Sequence, residues 1–289
     1  MSADDDGVVS RPIAPQERTG VLHPENLERY AARWIDPSPA VAEVVDRYWH
    51  VRWALPAQES IDQRIVTLPA ITLSIESGDV PAPLVITGAQ RSAWARRIHG
   101  HGDVFALRLR PAGLAVLGDL GASSILDSTE PLTPDLDPSL HEFLTEIASA
   151  TGVEERAAAA DRAIAVRLAR HPIHAEGRLA NAILDELTAR LRTRAGHGLA
   201  EHFGASERAI QRALQRTIGL GPKRVTRLVR LQEVARVLSL GGAPDLAALA
   251  AELGYADQAH LQHDFREVAG VTPGAYARAV SALISRRRA

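Results

Sequence analysis

The 289-residue chain contains no cysteine. It therefore has no disulfide, no thiol nucleophile and no cysteine-ligated zinc site. It also lacks any uncharged apolar run of about 18 residues, the length a helix needs to span a bilayer. The first ten residues, MSADDDGVVS, are acidic, the wrong sign for a secretory signal peptide. GxSxG, phosphate-loop and dinucleotide fingerprints are missing, and Ser, His and Asp occur without the local support of a catalytic triad. The expectation is a soluble cytoplasmic protein that is not an enzyme and holds no cofactor or metal.

What is present is enough for a proper core. Hydrophobic residues make up 46% of the chain, and the length suggests two domains at roughly 100–200 residues each. The net charge of −2 conceals an asymmetry, since residues 1–175 sum to −8 and residues 176–289 to +6. A sign change between halves suggests that the second half meets a polyanion.

Residues 1–20 mix Asp, Gly, Pro and Ser without apolar periodicity and read as a flexible tail. Pro39 to Val51 places Val41, Val44, Val45, Tyr48 and Trp49 at helical spacing, which predicts a short amphipathic helix. Next come the β-rich runs IVTLPAITLSIES, PLVITG and DVFALRLRP, separated by turn residues. Gly113 to Leu120 returns to helix. Residues 138–150 and 153–170 are Ala-rich and carry apolar residues at helical spacing. Pro172 ends the second of these, because a proline disfavours helix at the residue before it. The division is therefore a tail at 1–20, a β-rich regulatory domain at 21–136, a helical connector and candidate dimerisation surface at 137–175, and a helical domain at 176–289.

Within the last part a small unit is built twice. SERAIQRALQRTIGLGPKRV starts at Ser206, and DQAHLQHDFREVAGVTPGAY starts 51 positions later at Asp257. In each copy an Ala stands four residues before a Gly (Ala200 and Gly204, Ala250 and Gly254). A good N-cap follows (Ser206, Asp257), then a helix, a Gly and a Pro (Gly219 and Pro222, Gly270 and Pro273). Leu261 and Phe265 occupy the core positions of Ile210 and Leu214. Helix, glycine-containing turn and helix is the order of a helix-turn-helix, so the repeat predicts two of them. Lys223 to Leu240 between the copies predicts a helix of roughly 25 Å, a length suited to holding two reading helices about one DNA turn, or ~34 Å, apart.

The outward residues of the first reading helix are Arg208, Gln211, Arg212, Gln215 and Arg216. Arginine reads guanine and glutamine reads adenine, each bidentate pair giving about 1–3 kcal/mol of discrimination. The second helix shows Gln258, Ala259, Gln262, His263 and Arg266, a less basic set, so the first motif is expected to carry more of the readout. Lys223, Arg224, Arg227 and Arg230 form a basic stripe suited to phosphate.

These residues resemble the AraC/XylS family of bacterial transcription regulators over roughly Leu179 to Val280. The pattern LGYxDQAHxxxxF…GxTPxxY carries the resemblance most specifically. It implies a cytoplasmic regulator that binds double-stranded promoter DNA. Arg208, Gln211, Arg212, Ala259, Gln262 and His263 match base-contacting positions. Ser206, Arg216, Lys223, Arg224, Arg227, Asp257 and Arg266 complete the expected interface as phosphate contacts. His263 stands where an arginine is common, and Glu233 where the family is often basic. DNA-repair relatives use a cysteine as methyl acceptor, which this chain cannot. PSPAVAEVVDRYWHVRW and GHGDVFALRLRPAGLAVL look like the sensor-like domain preceding this module in many actinobacterial members. That implies an α+β protein of two domains, a cupin-like β-barrel with flanking helices followed by an all-α double helix-turn-helix. An effector, RNA polymerase and a second copy of the chain are the further partners it suggests. Trp49, Trp53 and Trp94 are the candidate lining of an effector pocket. A rival reading is a cupin-like metal enzyme holding its ion on His99 and His101, with the helical half as an interaction module.

Overall fold

The computed structural model describes residues 10–13, 17, 20–193, 199–241 and 244–288. Among the described residues the first domain has nine strands. They are β1 Ser10–Pro12, β2 Tyr30–Ile35, β3 Val45–Ala54, β4 Ser60–Ile65, β5 Thr72–Gly78, β6 Leu84–Thr87, β7 Trp94–His99, β8 His101–Leu109 and β9 Thr129–Pro131. Seven form one sheet in the order β1-β2-β3-β8-β5-β6-β9, and β4 pairs with β7 in a second. Every described strand pair is antiparallel.

Alternation along β8 explains how the large sheet is used. Phe105 and Leu107 face one way, into a core shared with Tyr48, Leu73 and Ile86. Val104 and Ala106 face the other way, meeting Trp53 and the Ile61 and Ile98 side chains of the small sheet. Three helices cover the first face: α1 Gly113–Leu117, α2 Pro138–Ala148 and α3 Val153–Arg170. Leu140, Phe143, Leu144 and Ile147 of α2 and Ile164 of α3 complete that core. Residues 137–175 thus pack on the sheet, where the sequence suggests a connector.

Three expectations need correction. Pro39–Val51 is not a helix: a 3₁₀ turn spans Pro39–Val41 and the rest enters β3. A register shift between Val45 and Arg47 breaks the alternation, which lets Val44, Val45 and Tyr48 share one core and imitate helical spacing. The sheet is also open rather than closed into a barrel: its edge strands β1 and β9 pair with no further strand among the described residues, and β4 and β7 form a separate pair. Finally, residues 1–9, 14–16, 18 and 19 of the expected tail lie outside the described residues, while Ser10–Pro12 is a strand paired to Arg33–Ile35.

The second domain is helical: α4 Ala175–Thr193, α5 Leu199–Phe203, α6 Glu207–Ile218, α7 Pro222–Ser239, α8 Leu246–Glu252, α9 Gln258–Ala269 and α10 Pro273–Arg288. Ile210, Leu214, Leu261 and Phe265 lie in one core with Val225, Leu228 and Leu231 of α7. Leu22, Val66, Ala89 and Ala93 of the first domain enter the same core, so the two domains are packed together. Among the described residues no helix is long and apolar enough to cross a membrane.

Candidate nucleic-acid interface

The two repeated units fold alike, and the same local chemistry sets each one. Gly204 and Gly254 take positive φ (56° and 72°) at the turn after α5 and α8. In each copy the next amide closes the turn, Ala205 N on Ala200 O at 3.1 Å and Tyr255 N on Ala250 O at 2.9 Å. Ser206 Oγ then accepts from Ala209 N at 3.2 Å, and Asp257 Oδ1 from His260 N at 2.7 Å. Each oxygen satisfies one of the free amides at a helix start. Ser206 and Asp257, expected at phosphates, are thereby placed as caps at the N-termini of α6 and α9. Gly219 and Gly270 end α6 and α9 in the left-handed conformation, at φ 83° and 73°. Between the units α7 runs for 18 residues, about 27 Å at 1.5 Å per residue.

On α6, Arg208, Gln211, Arg212, Gln215 and Arg216 are all exposed, whereas Ile210, Ala213 and Leu214 are buried. On α9, Ala259, His263 and Arg266 are exposed and Gln262 is half-buried. Lys223 is exposed and Arg224 half-buried at the start of α7. The structure thus brings the expected residues to the surfaces of the two second helices and the α7 start, but does not leave all of them free.

Arg208, Lys223 and Arg266 have no side-chain hydrogen bond or ion pair among the described residues. Gln211 packs over Gly221. Gln215 donates to Gly219 O at 3.0 Å and reaches Ser123 Oγ at 3.5 Å. Arg212 Nε and Arg216 Nη1 both donate to the Glu176 carboxylate, at 2.6 and 2.7 Å. Those bonds, Arg216 first and Arg212 second, hold Glu176 below the usual carboxylate range. Arg227 is the most committed, donating to Asp264 Oδ1 at 2.6 Å and to Glu267 Oε2 at 2.7 Å. Burial opposes its positive charge, and the bonds to Glu267 and Asp264 outweigh that, so its pKa is raised. Arg230 lies over the Tyr255 ring at 5.8 Å. Sequence reasoning missed Glu176, Asp264 and Glu267, because no local spacing connects acids to arginines 36 to 40 positions away.

The tryptophans do not gather into one pocket. Trp53 is core, with Nε1 donating to His99 O at 3.0 Å. Trp49 meets Trp34 edge-on, with centroids 6.0 Å apart. Trp94 lines a cavity of about 120 Å³ with Val85, Pro131, Thr129 and the paired Glu76 and Arg96. His101 Nδ1 sits 2.8 Å from Asp79 Oδ2 on the hairpin at Gly100. Among the described residues no group of three or more His, Asp or Glu could hold a metal ion.

Two similar helix-turn-helix units on one long helix, with polar residues outward, define a DNA-binding domain of the double helix-turn-helix class. Residues 199–279 match the family model described as "Helix-turn-helix domain", and residues 33–131 the one described as "Domain of unknown function (DUF6597)". The helical half carries a helix-turn-helix domain, and the protein is a DNA-binding transcription regulator. No curated protein matches the chain. Among solved structures, one of ToxT from Vibrio cholerae is 8% identical at a TM-score of 0.43, covering 80% of this chain and 98% of ToxT. A second, of ToxT bound to an unsaturated fatty acid, is 9% identical at a TM-score of 0.38, covering 98% of this chain and 99% of ToxT. Likeness at that level carries no functional argument.

Proposed function

We propose that this regulator reads promoter DNA with both helix-turn-helix units and that its first domain governs when it does so. Arg208, Gln211 and Arg212 of α6 read bases in one major groove, and Ala259, Gln262 and His263 of α9 in the next. Arg216, Lys223, Arg224 and Arg266 meet phosphates, with Ser206 and Asp257 positioned at the helix tips. Arg227 contributes by holding α9 to α7. Attraction to phosphates brings the protein to DNA, and contacts to base edges select the site.

The single observation that carries this reading is the matched pair of capped, outward-polar helices joined by α7. The first domain is a sensor and has no catalytic role of its own. A small molecule in the Trp94 cavity or a partner protein is its input, RNA polymerase and a second copy of the chain are further partners, and the cytoplasm is where it acts. The test is selection of duplexes from a random pool by the full chain, followed by binding in the presence of random competitor. Enrichment of one sequence supports the reading, and indifference to sequence refutes it.

A further inference from the structure

Glu176 stands where the regulatory domain meets the reading helix. It lies in the first turn of α4, and its two carboxylate oxygens take the Arg212 and Arg216 guanidinium groups, one turn apart on α6. The arginine side chains remain 50% and 66% exposed, so a competing anion can reach them. Any phosphate or base edge they contact competes with this carboxylate for their N–H donors and their charge.

The start of α4 is fixed to the first domain. Asn181, buried, accepts from Ala112 N at 3.0 Å and donates to Glu43 O at 2.8 Å. Asp185 takes Arg110 at 2.6 Å. Gly177 packs so closely on Ala112 that a Cβ would come within 3.1 Å of the Ala112 methyl. Further along α6, Gln215 and Gly219 rest on the 3₁₀ turn Ala122–Ile125 of the same domain. Glu176 is therefore presented to Arg212 and Arg216 by a helix anchored on the regulatory domain, and α6 itself rests on that domain at the 3₁₀ turn.

We infer that Glu176 is a built-in competitor for DNA: an autoinhibitory carboxylate that occupies Arg212 and Arg216 in this docked arrangement. It yields them when DNA is bound, or when a signal shifts the first domain relative to α4. The inference rests on the proposed reading role of α6 and names how that role is held in check. The contact is a solvent-facing ion pair, so it tunes affinity rather than abolishing it.

The test uses the full chain and one duplex enriched by the wild-type protein. Glu176→Gln keeps the side-chain size and removes the charge, and Glu201→Gln removes an exposed acid from α5 as a control for net charge. Glu176→Gln is expected to tighten binding by roughly five- to twenty-fold at low salt. It is also expected to steepen the dependence of log K on log salt by about one unit, since Arg216, no longer neutralised by a carboxylate in the free protein, releases its own counterion on meeting a phosphate, an effect of about 0.9 per contact. Glu201→Gln is expected to shift affinity no more than about two-fold. Placed on Arg212→Ala/Arg216→Ala, Glu176→Gln is expected to change nothing further. Equal gains from Glu176→Gln and Glu201→Gln overturn the inference, as does a gain that survives in the doubly substituted background. Should the Gln variant fold poorly by its melting curve, Glu176→Asp withdraws the carboxylate by one methylene and must give an intermediate gain in affinity. If the wild-type chain selects no duplex, the DNA-reading proposal itself fails. A selected duplex with no gain on substitution sinks the competitor alone.

Discussion

Arg227 of α7 donates from Nε to Asp264 Oδ1 of α9 at 2.6 Å, with both side chains largely out of water. Removing the guanidinium leaves Asp264 enclosed without its cation, and Glu267 loses its partner as well. Arg227→Ala is therefore expected to lower stability by about 1–3 kcal/mol, the penalty for leaving a buried polar group without its partner, read by urea denaturation. The salt dependence of DNA binding should stay close to wild type. A slope reduced by one unit with unchanged stability would make Arg227 a phosphate contact instead.

Lys223 is the complementary case, an exposed cation at the start of α7 without an ion pair among the described residues. Lys223→Ala should weaken binding to every duplex alike and reduce the salt slope by about one unit. Arg208→Ala should instead relax preference at one base position by about 1–3 kcal/mol. Binding titrations on the selected duplex and its single-base variants separate the two.

Gly219 makes a third prediction. Its φ is 83°, and a Cβ there would stand 3.0 Å from Ala122 O. Gly219→Ala should cost about 1–2 kcal/mol through left-handed strain alone, with a further loss where α6 meets the first domain. A melting temperature unchanged from wild type would contradict the described packing of α6 on the 3₁₀ turn.

A fourth concerns pH. The bonds from Arg216 and Arg212 depress the pKa of Glu176. A depressed carboxylate keeps its contact above its ordinary pKa of about 4.3 and loses it only as pH falls through the lower folded value. The affinity gain of Glu176→Gln should therefore be flat from pH 6 to pH 8. A gain that vanished across that window would assign the contact to a histidine.

The repeated units were legible in the sequence because their determinants are local. Gly204, Ser206 and Gly219, and their counterparts Gly254, Asp257 and Gly270, each act on backbone within a few residues. Strands β5, β6 and β8 were legible for the same reason, each giving a β-rich run between turn residues. Strand β3 was not, since the irregularity after Val45 places residues of both parities in one core. Strands β4 and β7 escaped notice because Gln63 and Arg96 turn polar side chains inward, where Arg96 meets the buried Glu76. The acids that engage the arginines of α6 and α7 were hidden too. Glu176 reaches Arg212 only because α4 and α6 pack together, a relation that no spacing along the chain encodes.

The most direct test of the account is selection of a random duplex pool by the full-length protein, followed by affinity measurements on the enriched duplex at two salt concentrations. The account predicts two enriched blocks about ten base pairs apart, as expected for readers in successive major grooves. It also predicts tighter binding to that duplex than to random DNA at both salts. Binding that falls with salt but never distinguishes one sequence from another would contradict it.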